Sequence, residues 1–422
     1  MSDGTKLPTS RFGRMARLAR VGAKTGMSAL LSRGGEGAAE QAAEILGSMR
    51  GIAAKVGQMA SYVDGLAPTQ HQGAYSAALK TLQAAAPASS FDDVRSTIAA
   101  ELGGSIADHF VTFDEVPIAS ASIGQVHRAE LRGGREVAVK VQHPGIARAI
   151  ENDLKNASAL EGMLSLVGPN SMKAKETFDQ VAQRFREELD YELEAKRQRW
   201  FRDFFRDDDV IQIPEVIDTH STKRVLTSEF VRGHDMDWAL GRSEAERRSF
   251  CESLWRFTYR SLLVGGHLNV DPHPGNYFFH EDGRITFFDF GCVETMSEDR
   301  LTHARGMHQA AWRNDEAAWR RHAAIITETN PGEYQDALLD YLRSCFTPLF
   351  DSPYRIEREY VAEVVRGIYQ MKRHMLGRKS GFTPPPKGTV FLNRLQIGFY
   401  SVLARFDVEV DYPAVEQSFL DV

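Results

Sequence analysis

Alternating apolar and polar positions predict short strands in the middle third of the chain. Residues 136–141, Glu-Val-Ala-Val-Lys-Val, place small and β-branched side chains between charged ones, as a half-buried strand does. Further strands are predicted at 213–217, 224–231, 277–279 and 285–288. From Ser243 onward the remaining spacing is mainly helical. Strands followed by helices predict an α+β fold with a strand-rich lobe before a helical lobe.

A segment with helical periodicity lies between these predicted strands. It covers residues 177–200 and places Phe178, Phe185 and Leu189 along one side. Five acids lie close together between residues 187 and 194 of this segment: Glu187, Glu188, Asp190, Glu192 and Glu194. An ammonium group in the middle of an apolar strand is costly unless it is paired. One of these acids is therefore predicted to face Lys140.

Residues 269–276, Asn-Val-Asp-Pro-His-Pro-Gly-Asn, form the chemically richest segment, and Asp-Phe-Gly follows at 289–291. These residue types occur in phosphoryl-transfer sites. There, one carboxylate takes or orients the proton of the attacking hydroxyl, and an amide oxygen and a second carboxylate hold Mg²⁺. Asp271 is assigned the first role, and Asn276 and Asp289 the second. The alternative is a Pro/Gly turn before an ordinary buried strand.

Lys140 lies in a Val-Ala-Val-Lys strand that matches the one whose Lys binds the α/β-phosphates of ATP. The alternative is a solvent-facing Lys. The preceding segment has only Gly124, but small side chains also let backbone N–H groups approach phosphate. The loop residues predicted to do so are Ala119, Ser120, Ala121 and Ser122. A close-packed turn without a ligand is the alternative there. The backbone near Glu229 and Val231 is predicted to meet adenine.

These segments resemble the UbiB (AarF-domain) atypical kinase-like family, from about residue 50 to about residue 411. The most specific element is Lys55-Val56-Gly57-Gln58, similar to the family's K-x-G-Q motif. The resemblance implies a bilobal protein-kinase-like fold whose N-terminal helices cover the active site. It also implies that Glu188 partners Lys140. The residues implied to be regulatory are Lys55, Gln58 and Asp190, because Lys55 and Gln58 would meet Glu188 and Asp190 across that cover. Asn269 stands where many members carry His, and no chemical role is assigned to it.

Composition sets limits on this interpretation. The 422 residues are 42% hydrophobic and 26% charged, as in an ordinary globular protein, and the net charge of −6 argues against bulk nucleic-acid binding. Three widely spaced cysteines, Cys251, Cys292 and Cys345, predict a reducing compartment without zinc or disulfides. Cys292 is interpreted as a packing residue rather than a nucleophile. The sequence has no apolar run long enough to predict a membrane span.

Four regions are predicted: a basic amphipathic leader at 1–40, a helical extension with the K-x-G-Q motif at 41–95, a kinase-like N-lobe at 96–232, and a helical C-lobe at 233–422. Residues 4–35 hold seven Lys or Arg and no acid. Arginines recur every third residue at Arg11, Arg14, Arg17 and Arg20. This pattern fits contact with an anionic membrane, an organellar transit peptide or a surface leader.

The expected function is that of an atypical kinase or ATPase that binds Mg²⁺ and ATP through Lys140, Glu188, Asp271, Asn276 and Asp289. The resemblance alone implies a small or lipid-like acceptor and support of isoprenoid-quinone (ubiquinone) metabolism. A protein kinase is the first alternative, although no Ala-Pro-Glu follows Asp289. A non-enzymatic ATP-responsive scaffold is the second. The expected location is cytoplasmic, with peripheral membrane contact left open, or mitochondrial in a eukaryote.

Overall fold

The computed structural model describes residues 89–120, 123–152, 154, 182–375 and 397–420. The leader, the K-x-G-Q motif with Lys55 and Gln58, and the loop residues Ala121 and Ser122 lie outside the described residues. The chain forms two compact units. The first takes in the described residues up to Glu192 together with Ile217–Thr227, and the second takes in Leu193–Val216 and the residues from Ser228 onward.

In chain order, the elements begin with α1 Phe91–Leu102, α2 Ile106–His109, β1 Phe110–Phe113, β2 Ala119–Ser120, β3 Gly124–Leu131, β4 Glu136–Gln142, α3 Tyr191–Phe204, β5 Ile211–Gln212, β6 Val225–Glu229, α4 Met236–Leu240 and α5 Glu244–Leu263. They continue with β7 His267–Asn269, β8 Tyr277–Phe279, β9 Ile285–Phe287, β10 Val293–Thr295, α6 Glu298–Trp312, α7 Glu316–Thr327, α8 Glu333–Cys345, α9 Thr347–Phe350, β11 Tyr354–Arg355, α10 Arg358–Met375, β12 Glu409–Val410 and α11 Tyr412–Gln417.

The first unit is built on a five-stranded sheet in the order β1-β3-β4-β6, with β2 paired to β3. On β4 the residues alternate as predicted: Val137, Val139 and Val141 are buried, and the residues between them are less so. Helix α1 packs its buried Val94 and Ile98 against this apolar face. Alternation of period two therefore decides which face of β4 joins the core.

Helix α1 begins directly after a residue that caps it with its side chain. Ser90 has extended backbone angles, and its hydroxyl accepts a hydrogen bond from Asp93 N at 3.2 Å. This bond satisfies one of the N–H groups that a helix leaves unpaired at its start. At the other end of α1, Glu101 accepts hydrogen bonds from Thr222 (2.6 Å) and Arg224 (2.7 Å), which tie the helix to the segment before β6.

The helix predicted over 177–200 is not continuous, and its part before residue 182 lies outside the described residues. Residues 182–188 are helical, the helix stops at Leu189, and α3 begins at Tyr191. The Gln142 amide donates to Leu189 O at 2.8 Å, and Tyr191 N donates to Lys223 O at 3.1 Å. Because these partners take backbone groups that an unbroken helix would pair internally, the tertiary contacts replace two helical bonds.

Two strand predictions also need correction. The strand predicted at 213–217 is displaced: β5 covers only Ile211–Gln212, and Val216 forms a single bridge to Ser228. The strand predicted at 224–231 is shorter, since β6 ends at Glu229. The apolar residues Ile213 and Val216 are buried, so their hydrophobicity marks core positions rather than a ladder.

In the second unit, helix α5 lies in the core. Ser243 caps it through a reciprocal pair with Glu246, in which each side chain meets the other residue's backbone N–H. The sheet beside it has the order β5-β9-β8, and Phe257 of α5 stacks on Phe287 of β9 with ring centroids 3.7 Å apart. The strands predicted at 277–279 and 285–288 are confirmed as β8 and β9.

The end of the described chain is fixed by one buried carboxylate. Glu416 on α11 has no solvent exposure and accepts hydrogen bonds from three side chains. Trp255 Nε1 lies at 2.9 Å, Trp312 Nε1 at 2.8 Å and His308 Nδ1 at 2.8 Å. A buried carboxylate is tolerated when its oxygens are hydrogen-bonded in this way. Glu416 therefore joins α11 to α5 and α6.

None of the three cysteines forms a disulfide, and all three are buried, including Cys292, which is 6% exposed and belongs to the core of the second unit. This placement fits the packing role predicted for Cys292. Among the residues that the structure describes, no helix is both long enough and apolar enough to cross a bilayer.

Candidate active site

The first unit places Lys140 in a defined row across its sheet. Ala119 on β2 pairs with Val126 on β3, which pairs with Lys140 on β4. The ammonium of Lys140 lies 5.0 Å from the centre of the Tyr191 ring, within the range of a cation–π contact. Strand register therefore places Ala119 and the predicted phosphate-binding Lys140 in one row, on strands β2 and β4, which both pair with β3.

The one glycine of this region, Gly124, is needed for close packing. A Cβ atom built on Gly124 would lie 2.6 Å from Tyr191 Oη and 2.6 Å from Val141 O, closer than real contacts. Ala119 and Ser120 are exposed and extended, and they pair with β3 rather than forming an open turn. The described part of the loop is thus a strand, and Gly124 marks a close approach of side chain and backbone.

Glu188 and Asp190 lie on either side of the point where the helix of residues 182–188 stops. Both side chains are partly buried. Asp190 N donates to Glu187 O at 3.0 Å, which tightens the last turn. The pairing of Glu188 with Lys140, and the contacts of Glu188 and Asp190 with Lys55 and Gln58, stay predictions.

At the end of β6, the backbone of Glu229 is hydrogen-bonded to Glu215. Glu229 N donates to Glu215 O at 2.8 Å, and Glu215 N donates to the Glu229 carboxylate at 3.4 Å. Val231 follows the strand and is partly buried. The predicted adenine contact through the backbone near Glu229 and Val231 stays a prediction.

The second unit brings Asp271 and Asn276 together in the loop between β7 and β8. A turn of 3-10 helix, Pro274–Asn276, follows His273, whose ring accepts from Gly275 N at 3.0 Å. This turn carries the Asn276 amide back to Asp271: Nδ2 donates to Asp271 O at 3.1 Å and to Asp271 Oδ2 at 3.4 Å. Because Asn276 donates through Nδ2, Oδ1 is the atom that it can offer to a cation.

Asp289 follows β9 in a left-handed backbone conformation, with φ of 58°. Its Oδ1 accepts from Gly291 N at 3.0 Å, and the next residue, Phe290, is fully buried against Phe201 with ring centroids 4.8 Å apart. Arg197 donates to Gly291 O at 2.8 Å. Non-glycine residues in this conformation are uncommon and concentrate at functional sites.

Asn269 connects these two segments, although the sequence assigned it no chemical role. Its Nδ2 donates to Asp289 O at 3.0 Å, and its Oδ1 accepts from Asp271 N at 3.1 Å. The pairing of β7 with β10, with Asn269 opposite Val293, places it there. Asn269 and Asp289 are twenty positions apart, so local sequence patterns do not predict their contact. The one feature of the sequence that could have indicated it is a polar residue directly before Val270-Asp271.

Asp289 and Asn276 have side chains whose chemistry suits Mg²⁺. Within the described ranges no group of three or more His, Cys, Asp or Glu side chains is arranged to hold a metal ion. Mg²⁺ in phosphoryl-transfer sites takes one or two carboxylates and completes its octahedron with phosphate oxygens and water. The Asp289 carboxylate and Asn276 Oδ1 are oxygen atoms of the type that this ion prefers.

Comparisons with known proteins show the family to which the chain is similar. A sequence profile of the ABC1 atypical kinase-like domain matches residues 81–323. The chain is 27% identical over 447 aligned residues to the Danio rerio protein "atypical kinase COQ8B, mitochondrial", covering 99% of this chain and 69% of that protein. It is 26% identical over 430 residues to "atypical kinase COQ8, mitochondrial" of Saccharomyces cerevisiae, covering 96% and 84%.

The fold has a counterpart among solved structures. The Rv3197–erythromycin complex from Mycobacterium tuberculosis aligns with a TM-score of 0.64 and 24% identity, covering 97% of this chain and 98% of that one. At this identity the likeness concerns the fold alone.

Proposed function

Because the chain belongs to the ABC1 atypical kinase-like family, we propose that it binds Mg–ATP and transfers or hydrolyses the γ-phosphate. The kinase-like fold and the family predicted from the sequence are confirmed, and the related proteins named atypical kinases place the chain among phosphotransferases or ATPases. The observation that carries the proposal is a hydrogen-bonded arrangement in which Asn276 and Asn269 both bond to Asp271, and Asn269 also donates to the Asp289 carbonyl.

The proposed roles follow from the chemistry of each group. Lys140 neutralises phosphate charge, with Glu188 as its partner. Asp289 and Asn276 hold Mg²⁺, which when bound offsets the charge that develops on the phosphoryl oxygens. Asp271 orients the attacking oxygen or takes its proton. Asn276 supports this role because its amide already holds the backbone carbonyl and the carboxylate of Asp271.

The acceptor is proposed to be a small or lipid-like molecule, in support of isoprenoid-quinone (ubiquinone) metabolism. The likeness to the family and to the named atypical kinases supports the quinone link. The relatives named above are called mitochondrial, which suggests the same location for this chain in a eukaryote. Quinone intermediates measured in a deletion strain would test the link, because their accumulation is expected only if the protein acts there.

Titration calorimetry with Mg–ATP tests the nucleotide site. Asp289→Asn should abolish Mg²⁺-dependent ATP binding, because a carboxylate ligand of the metal is replaced by a weaker neutral one. Asp299→Asn, an exposed acid in the first turn of α6, is the matched control and should bind as the wild type does. Wild-type affinity in Asp289→Asn would remove Asp289 from the site.

A further inference from the structure

We infer that Asn269 is a positioning residue that holds the catalytic loop and the Asp-Phe-Gly segment in one arrangement. The inference rests on the proposed function. Asn269 is partly buried at the end of β7, and both the nitrogen and the oxygen of its side-chain amide form hydrogen bonds. Nδ2 donates to Asp289 O at 3.0 Å, and Oδ1 accepts from Asp271 N at 3.1 Å. One side chain thus contacts the backbone of both acidic site residues.

The chemistry of the two backbone groups selects an amide. A carbonyl oxygen such as Asp289 O can only accept, and an N–H such as that of Asp271 can only donate. The group between them must therefore offer one donor and one acceptor, a short distance apart. Asn does so with a planar side chain of two χ angles. A carboxylate at position 269 would keep the acceptor and lose the donor, whereas a methyl group would lose both.

The bond to Asp289 acts on a strained residue. Asp289 holds a φ of 58°, and its own carboxylate is turned onto Gly291 N. Because the backbone angles set the direction of the side chain, the bond that fixes the Asp289 carbonyl also fixes where the carboxylate points. Without it, the residue is free to relax toward the commoner right-handed or extended conformations. Asn269 therefore acts through Asp289 and Asp271.

The backbone of Asn269 is anchored independently of its side chain. It pairs with Val293 across β7 and β10, and the next residue, Val270, is buried and donates to Cys292 O at 3.0 Å. Removing the amide should consequently leave the strand pairing and the core intact. This separates a positioning role from a role in folding, and it makes the inference testable by substitution.

The test compares Asn269→Ala, Asn269→Asp and Asn269→His with the wild type in Mg–ATP hydrolysis and in amide hydrogen exchange. For Ala and Asp we expect kcat to fall by about 10²-fold, as for ångström-scale misplacement of reacting groups, with KM for ATP within about 3-fold. Neutral imidazole also has one donor and one acceptor, so His should retain more activity than Ala. Asn330→Ala, in an exposed loop, is the control and should leave turnover unchanged.

Hydrogen exchange gives a readout that does not depend on turnover. In Asn269→Ala we expect faster exchange at the Asp271 N–H and at 289–291, with unchanged exchange elsewhere, including at the Val270 N–H, which donates to Cys292 O. In Asn269→Asp the Asp271 N–H should stay protected, because its acceptor remains. Unchanged kcat with unchanged exchange would overturn the inference, and so would faster exchange throughout the second unit with a lower Tm. A wild-type chain inactive toward ATP would refute the proposed function, while the exchange data would still decide whether Asn269 links the two segments.

Discussion

At the scale of single residues, the site depends on side chains that fix backbone as much as on those that face a ligand. Asn276 holds Asp271, and Gly291 N holds the carboxylate of Asp289. The types and order of Asp271, Asn276 and Asp289 were readable from the sequence, because each chemical role demands a residue type. The role of Asn269 was not, because its partners come together only when β7 pairs with β10.

Asp271→Asn should spare ATP binding and lower turnover by about 10²–10⁴-fold, the usual contribution of a positioned acid or base. The amide keeps the size of the carboxylate but does not accept a proton. Steady-state ATP hydrolysis together with titration calorimetry measures both effects. Turnover equal to that of the wild type would show that Asp271 is not catalytic, at least toward water as the acceptor.

Gly124→Ala should destabilise the protein, by about 1–3 kcal/mol in the range typical of overpacking. The added methyl would meet Tyr191 Oη and Val141 O at 2.6 Å. Gly241→Ala is the matched control, because its φ is −79° and the nearest atom to its Cβ lies at 3.4 Å. Urea unfolding of both variants decides the matter, and equal midpoints would contradict the close approach at Gly124.

At the scale of elements, the sequence pattern predicted a helix or strand correctly where local residues determine it. The prediction was wrong where residues distant in sequence determine it. The strand of Lys140 follows from the alternation of its own residues, which the buried valines of β4 reproduce. The helix break at Leu189 does not, because the Gln142 amide and the Lys223 carbonyl cause it. Nor does the displacement of β5, since its partner β9 lies more than seventy residues away.

Helix α11 should depend on Glu416. In Glu416→Ala the indole N–H groups of Trp255 and Trp312 and the His308 ring lose a shared acceptor in the core. We expect the free energy of unfolding to fall by about 3–5 kcal/mol, as when one partner of a buried charged network is removed. Glu416→Gln keeps one acceptor oxygen and should lose less. A loss below about 1 kcal/mol for Ala in urea unfolding would contradict this account.

At the scale of the whole molecule, stability should depend on pH through histidines in both units. Burial lowers the pKa of His127 and His220 in the first unit, and of His280 and His322 in the second. Neighbouring His303 and Arg321 lower the pKa of His322 further. The histidines of the unfolded chain have a pKa near 6.5. The unfolded chain therefore binds more protons than the folded chain at pH values near and below about 6.5.

Stability should consequently fall as the pH drops through and below about 6.5. Carboxylates with a lowered pKa, such as Glu101 and Asp282, act in a more acidic window, because their ordinary pKa values are 4.5 and 3.8. Tm measured between pH 7.5 and pH 5.5 should decline, and His322→Gln should show a shallower decline. A flat profile for the wild type would rule out a net histidine effect.

The basic leader adds a prediction for the full chain. Arg11, Arg14, Arg17 and Arg20 should promote binding to anionic vesicles, at about 1 kcal/mol for each basic residue near the surface. Replacing all four by Ser should therefore reduce co-sedimentation with phosphatidylserine vesicles, and salt should reduce it in the wild type. Equal sedimentation of the two proteins would show that these arginines do not contribute.

The placement of aromatic residues has a spectroscopic consequence. The five tryptophans are Trp200, Trp238, Trp255, Trp312 and Trp319, and all belong to the second unit. Their fluorescence reports on that unit alone, whereas far-ultraviolet circular dichroism reports on the secondary structure of both. Denaturation curves recorded with the two methods coincide only if the units unfold together. Tryptophan fluorescence of the native chain therefore distinguishes the unfolding of the second unit from that of the first, without an added fluorophore.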